Sequence, residues 1–196
     1  MTDRPVTSVF LAGVGGQGIV MASRILAELA FSAGFDVKQN EVHGLSQRAG
    51  SVTGHVRWGT RVFTPVIMDG EADFLLALEE LEGLRWAHIV RPGGMIILNR
   101  HRIVPPAVTV GGETYPENAA ERLAEYGRVV SVPATAVAAE AGNAGAANIV
   151  ILGAMSAHTP GFTPDRWKAA ITTSVPAGRL AGNLTAFDRG RDAGNR

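Results

Sequence analysis

Cysteine is absent from this 196-residue chain. Its absence excludes disulfides, a thiolate nucleophile, zinc–thiolate centres and any cysteine-held iron–sulfur cluster within the chain. Charge is sparse as well. Asp, Glu, Lys and Arg make up 18% of the residues, against about 25% in ordinary soluble domains. The formal net charge is zero, so there is no basic field to hold nucleic acid and no polybasic patch to hold a membrane. A surface short of charge has two readings: a partner covers part of it, or the composition is simply rich in Ala and Gly. No apolar run approaches the ~20 residues of a membrane-spanning helix. Met1 to Pro5 leads into a strand with no apolar leader segment, and a cytoplasmic location is expected. The sequence has no G-x-S-x-G elbow, no H-E-x-x-H and no paired-carboxylate motif. Trp58, Trp86 and Trp167 are far apart in sequence and read as core or interface rather than as a stacking platform.

What is present begins with a short apolar run, Val6 to Ala12, closed at once by glycines. That pattern reads as a buried parallel strand entering a tight turn. The turn is Gly13-Val14-Gly15-Gly16-Gln17-Gly18, a G-x-G-x-x-G with an extra glycine. A helix follows, with Ile19, Ser23, Leu26 and Ala30 on one face and Ala22, Ile25 and Leu29 beside them. Gly34 stands where that helix should stop. Strand, glycine turn and helix open a Rossmann-like unit, an α/β fold with an open, mostly parallel sheet and helices on both faces. The glycines again have two readings. They admit a phosphate to the amides at the helix N-terminus, which makes Gly13, Gly15, Gly16, Gln17 and Gly18 a cofactor-binding turn. Or they only let the helix pack closely on its strand. Gly15 is the position at which a positive φ is expected to make substitution costly. The second strand, Phe35 to Val42, carries Glu41 near the place of a ribose-binding acid, although His43-Gly44 follows it instead of the usual loop.

Further along, Ser51 to Trp58 alternates, with Val52, Gly54, Val56 and Trp58 on one side and Thr53, His55 and Arg57 on the other. Gly59-Thr60 suggests a hairpin into Arg61-Val62-Phe63. Asp73 to Leu78 reads as a buried strand, Glu79 to His88 as a helix, and Met95 to Leu98 as the next strand after the Arg91-Pro92-Gly93-Gly94 turn. The pattern continues with a helix from Pro116 to Tyr126, a strand from Arg128 to Val132 and a helix from Pro133 to Ala141. An apolar helix from Asn148 to Ala157 and helices opening at Pro164 and Pro176 complete it. The organisation expected is a single domain over residues 1–188 with a frayed polar tail over 189–196. Glu41 and His43 share one side of their strand and His55 could pair nearby, but no spacing matches a metal motif, and no metal is expected.

The stretch from His43 to Ser51 lies just beyond the carboxyl end of the second strand, where ligands sit in open α/β sheets. Ser46 and Gln47 offer donors, and Arg48 offers a fork suited to a carboxylate or phosphate, on a ligand or on a neighbouring chain. Glu41, His43, Ser46, Gln47 and Arg48 are therefore the candidate substrate or partner contacts. Gly13 to Ile19, Glu41 to Val52 and His55 to Arg57 together resemble the gamma-type subunits of 2-oxoacid:ferredoxin oxidoreductases. The His-Gly-Leu-Ser-Gln-Arg run points to the indolepyruvate branch, although Ala49 stands where a glycine is expected. The likeness covers nearly the whole chain. It implies a subunit without catalytic residues of its own, in a complex that decarboxylates indolepyruvate or another 2-oxoacid with coenzyme A and reduces ferredoxin. It implies that thiamine diphosphate, Mg and the iron–sulfur clusters reside in a large alpha subunit. It also implies that this chain helps to shape the entrance for coenzyme A or substrate. The sequence suits that division: it has no cysteine and no Gly-Asp-Gly with a downstream Asn-Asn for magnesium–diphosphate. The rival readings are a free-standing NAD(P)- or nucleotide-binding Rossmann enzyme and an adenylating enzyme, the latter disfavoured by the missing cysteines.

Overall fold

Alternation in the first apolar run divides the core. In a computed structural model, which describes residues 6–43, 50–105, 108 and 114–195, Val9 and Leu11 face one side of a sheet and Phe10 and Ala12 the other. The chain runs β1 (Val6–Val14), α1 (Ile19–Ser32), β2 (Asp36–His43), β3 (Ser51–Gly59), β4 (Ala72–Ala77), α2 (Glu80–Arg85) and β5 (Val90–Asn99). It continues with α3 (Ala119–Leu123), β6 (Arg128–Val132), α4 (Ala134–Glu140), α5 (Ala147–Ser156), α6 (Pro164–Ser174) and α7 (Ala177–Gly194). The sheet has the order β2-β3-β1-β4-β5-β6. β1, β4, β5 and β6 are parallel neighbours, while β3 runs antiparallel to both β1 and β2. The sheet is thus mostly parallel, as expected, with one antiparallel strand inserted beside the strand that leads to the glycine turn.

The helical face is built from α1, α5, α6 and α7. Ile19, Ala22, Ser23, Ile25, Leu26, Leu29 and Ala30 are the buried residues of α1, the set that its periodicity marks. α5 is apolar on every side and buried along its whole length except Ala147. It crosses α7 so closely that a Cβ on Gly153 would strike the Phe187 carbonyl, and one on Gly190 the Val150 carbonyl. The opposite face is covered by α2, α3 and the one-turn helix Ala87–Ile89, which close over Phe10, Leu75, Ala77, Ile96 and Leu98.

Three expectations are corrected. Arg61-Val62-Phe63 forms no strand. The segment 60–71 instead folds back over β3, held by Arg57 Nη1 donating to the Val66 carbonyl (2.8 Å) and Ile67 N–H donating to His55 Nδ1 (3.2 Å). The helix expected from Pro116 starts only at Ala119, because Asn118 takes a left-handed conformation (φ 55°) at its N-cap. Residues 189–194, expected to belong to a frayed tail, continue α7 to Gly194, and Gly190 and Gly194 are buried because they carry the close approach to α5.

Candidate functional site

The carboxyl ends of β1, β4 and β5 meet at the Leu78 carbonyl. Gln17, in the glycine turn, donates from Nε2 to that oxygen (2.9 Å) and accepts the Val14 N–H on Oε1 (2.7 Å). Asn99, fully buried at the end of β5, donates to the same oxygen (3.0 Å) and to the Thr135 hydroxyl (3.1 Å). Leu78 N–H in turn donates to the Ala12 carbonyl (2.8 Å). The side chain that was expected to face a cofactor therefore ties the turn to the sheet. Gly15 N–H donates to the Gly50 carbonyl (3.0 Å), so the turn is also tied to the start of β3. Gly16 and Gly18 hold the positive φ values, 94° and 80°, and Gly15 does not. Gly13 lies within β1, where a Cβ would meet Gln17 Oε1 at 2.8 Å. Gly18 caps α1, and its carbonyl accepts from Asn148 Nδ2 of α5 (3.1 Å).

Beside the turn stand three carboxylates that sequence reasoning missed. Glu79, Glu80 and Glu82 are all buried. Glu79 caps α2 by accepting the Glu82 N–H (2.8 Å), and it also accepts from the Tyr115 hydroxyl and from Ile103 N–H (3.1 Å). Burial, with the Glu79 carboxylate beside it, pushes the Tyr115 phenol well up. Glu80 pairs with Arg102 Nε (2.7 Å). Glu82 accepts from the Ser51 hydroxyl (2.5 Å) and pairs with Arg85, yet burial still pushes its carboxyl up from the ordinary range. Ser51 is the first residue of β3, so Glu82 anchors the chain where it leaves residues 44–49. The only warning of this cluster in the sequence is Glu-Glu-x-Glu after an apolar run; Ser51, Arg102 and Tyr115 are remote in the chain.

The match to known proteins spans this whole framework. Residues 8–193 match the family model described as pyruvate ferredoxin/flavodoxin oxidoreductase. The chain belongs to that family. An indolepyruvate oxidoreductase subunit IorB from Pyrococcus horikoshii is 38% identical over 189 residues, covering 93% of each chain. One from Archaeoglobus fulgidus is 41% identical over 188 residues, covering 93% of this chain and 92% of that one. Among solved structures, a keto/oxoacid ferredoxin oxidoreductase gamma subunit from Geobacter sulfurreducens shares the fold, with a TM-score of 0.73 and 24% identity over 96% of this chain and 98% of that one.

Membership of the pyruvate ferredoxin/flavodoxin oxidoreductase family sets aside the free-standing Rossmann enzyme, and the sheet gives a physical reason. A ribose-binding acid needs the second strand beside the first, whereas here β3 separates β2 from β1. Glu41 therefore pairs with Gly54 at the far edge of the sheet. His55 pairs with Asn40, on the face opposite Glu41, so these two do not converge. Among the described residues no group of three or more His, Asp or Glu side chains could hold a metal ion, and no helix is long and apolar enough to cross a membrane. Ser46, Gln47 and Arg48 lie outside the described residues, as does the His43 side chain.

Proposed function

We propose that this chain is the small, non-thiamine subunit of a cytoplasmic indolepyruvate:ferredoxin oxidoreductase. The observation that carries this reading is the full-length likeness to proteins named indolepyruvate oxidoreductase subunit. In the reaction, the carboxylate of the 2-oxoacid leaves as carbon dioxide, coenzyme A takes the acyl group as a thioester, and the electron pair passes to ferredoxin. A large partner subunit holds thiamine diphosphate, Mg and the iron–sulfur clusters. This chain's own residues do not fit a thiolate-held cluster, since it has no cysteine.

The chain's part is to present a rigid carboxyl edge to that partner. The turn from Gly13 to Gly18, locked through Gln17 and Leu78, is joined by the Gly15 N–H to the Gly50 carbonyl, next to Ser51 and its anchor Glu82. On this reading Glu41, His43, Ser46, Gln47 and Arg48 meet the partner or the coenzyme A entrance, with Arg48 holding a carboxylate or phosphate. The isolated chain is expected to be colourless and inactive, and to restore indolepyruvate- and coenzyme A-dependent ferredoxin reduction when assembled with the large subunit. Arg48→Ala should weaken assembly or coenzyme A binding by about 1.5–3 kcal/mol, and Arg48→Lys should recover only the part owed to charge. Turnover by the isolated chain, or failure to assemble with a large thiamine-containing subunit, would refute the assignment.

A further inference from the structure

On the face of the sheet away from α1, the segment 60–71 and strands β2 and β3 border an open cavity of about 550 Å³. Its walls include Val42, Thr53, His55, Ile67, Met68 and Trp86. His55 is only 8% exposed, and its ring packs edge-on against Phe10 at 4.8 Å. Because Nδ1 accepts the Ile67 N–H, the neutral ring carries its proton on Nε2. Burial favours that neutral form by pushing the His55 pKa down. No group among the described residues accepts the Nε2 proton. The Thr53 hydroxyl, 4% exposed, is likewise without a partner among the described residues, and the Trp86 indole N–H is buried without an acceptor. The cavity therefore presents an unpaired N–H donor at His55 Nε2 and a hydroxyl at Thr53 that can donate or accept. Among the described residues no Lys or Arg lines it, and the Asp69 carboxylate stands on its rim.

We propose that this cavity is a binding site for an uncharged carbonyl compound bearing an aryl group, with the carbonyl oxygen accepting from His55 Nε2. An anion would enter past Asp69, and Arg57, the cation beside His55 among the described residues, is already engaged by the Val66 carbonyl and the Glu71 carboxylate, which favours an amide, ketone or aldehyde over a carboxylate. The aryl body would rest on Trp86 and the Met68 thioether, both of which suit an aromatic ring. Nothing in this inference depends on which 2-oxoacid the complex uses.

The test is a titration of the full chain near neutral pH with phenylacetamide, phenylacetate and ethylbenzene, which share a ring and differ at the carbonyl. Tryptophan fluorescence reports on Trp86, with Trp86→Phe as the control, and nitrogen-15 NMR reports on His55 Nε2. Phenylacetamide should bind saturably and shift the Nε2 signal. Phenylacetate should bind roughly tenfold more weakly or worse, because its charge meets Asp69 and a guanidinium already engaged by Glu71. Ethylbenzene, which lacks the acceptor, should leave the Nε2 signal in place. Thr53→Val and His55→Gln should each weaken phenylacetamide while circular dichroism stays that of the parent; if His55→Gln does not fold, Thr53→Val decides. Equal affinity for amide and carboxylate, no saturable change with the amide, or unchanged binding in the folded variants would overturn the proposal.

Discussion

Alanine placed in turn at Gly15, Gly16 and Gly18 should give three different stabilities, although all three are glycines of one turn. Gly15 has ordinary φ, and an added Cβ would find nothing closer than the Gly50 carbonyl at 3.8 Å. Gly15→Ala should be neutral or stabilising by up to about 1 kcal/mol, since it restricts the unfolded chain. Gly16 has φ 94° with open space around it, so Gly16→Ala should lose only the left-handed backbone cost, about 1–2 kcal/mol. Gly18 has φ 80°, and its Cβ would lie 2.5 Å from Asn148 Nδ2. Gly18→Ala therefore adds to that cost the loss of the Asn148 bond to the Gly18 carbonyl, about 1 kcal/mol, for a total of about 2–3 kcal/mol. At about 2–4 °C per kcal/mol for a chain of this size, Tm should fall by roughly 4–12 °C. Urea and thermal unfolding of the three variants measure the order directly. Equal losses, or a loss at Gly15 exceeding that at Gly18, would refute this account of the turn.

Two further perturbations test other parts of the structure. Gly190→Ala places a methyl group against the Val150 carbonyl and should cost about 1–3 kcal/mol or more by urea unfolding, whereas Gly178→Ala, with open space at its Cβ, should be neutral or slightly stabilising. Glu82 has its carboxyl raised from the ordinary value of 4.5, chiefly by burial, so the folded chain holds that proton more tightly than the unfolded one. Its stabilisation is complete below the unfolded pKa and is lost as pH rises through the folded one. Glu82→Gln should therefore gain on the parent as pH rises from acid to neutral, and urea midpoints that keep a constant difference would count against this.

Much of the fold could be read from local pattern. The apolar stripe of α1 follows from periodicity because that helix buries one defined side, and alternation separates the two faces of β3 although both are buried. The strand order could not be read, since nothing in β3 records that it pairs with β1 as well as with β2. Its Gly54 shows the reason only in three dimensions: a Cβ there would strike the Ser23 hydroxyl of α1. Gly190 and Gly194 suggest fraying when read singly, yet their lack of a side chain is what lets α7 approach α5. Gln17 reads as a ligand in the sequence, and its bracing of the turn could not be read there, because its partner Leu78 lies 61 residues on. The carboxylates of α2 were hidden for the same reason, as their partners come from β3 and from the region after β5.

The position of β1 also bears on the order in which the chain can fold. The β2–β3 hairpin joins strands close in sequence, with Val42 opposite Thr53, and its closure is entropically cheap. β1 has no such neighbour: Val9 lies opposite Val56 on one side and Phe74 on the other. Both edges of the central strand stay open until chain far downstream arrives, a non-local pattern that slows folding and leaves an apolar edge exposed to other chains meanwhile. The glycine turn shares that delay. Gln17 has no carbonyl to hold until β4 docks and brings Leu78 to it, so the turn takes its native shape only after the strand at its base has been enclosed.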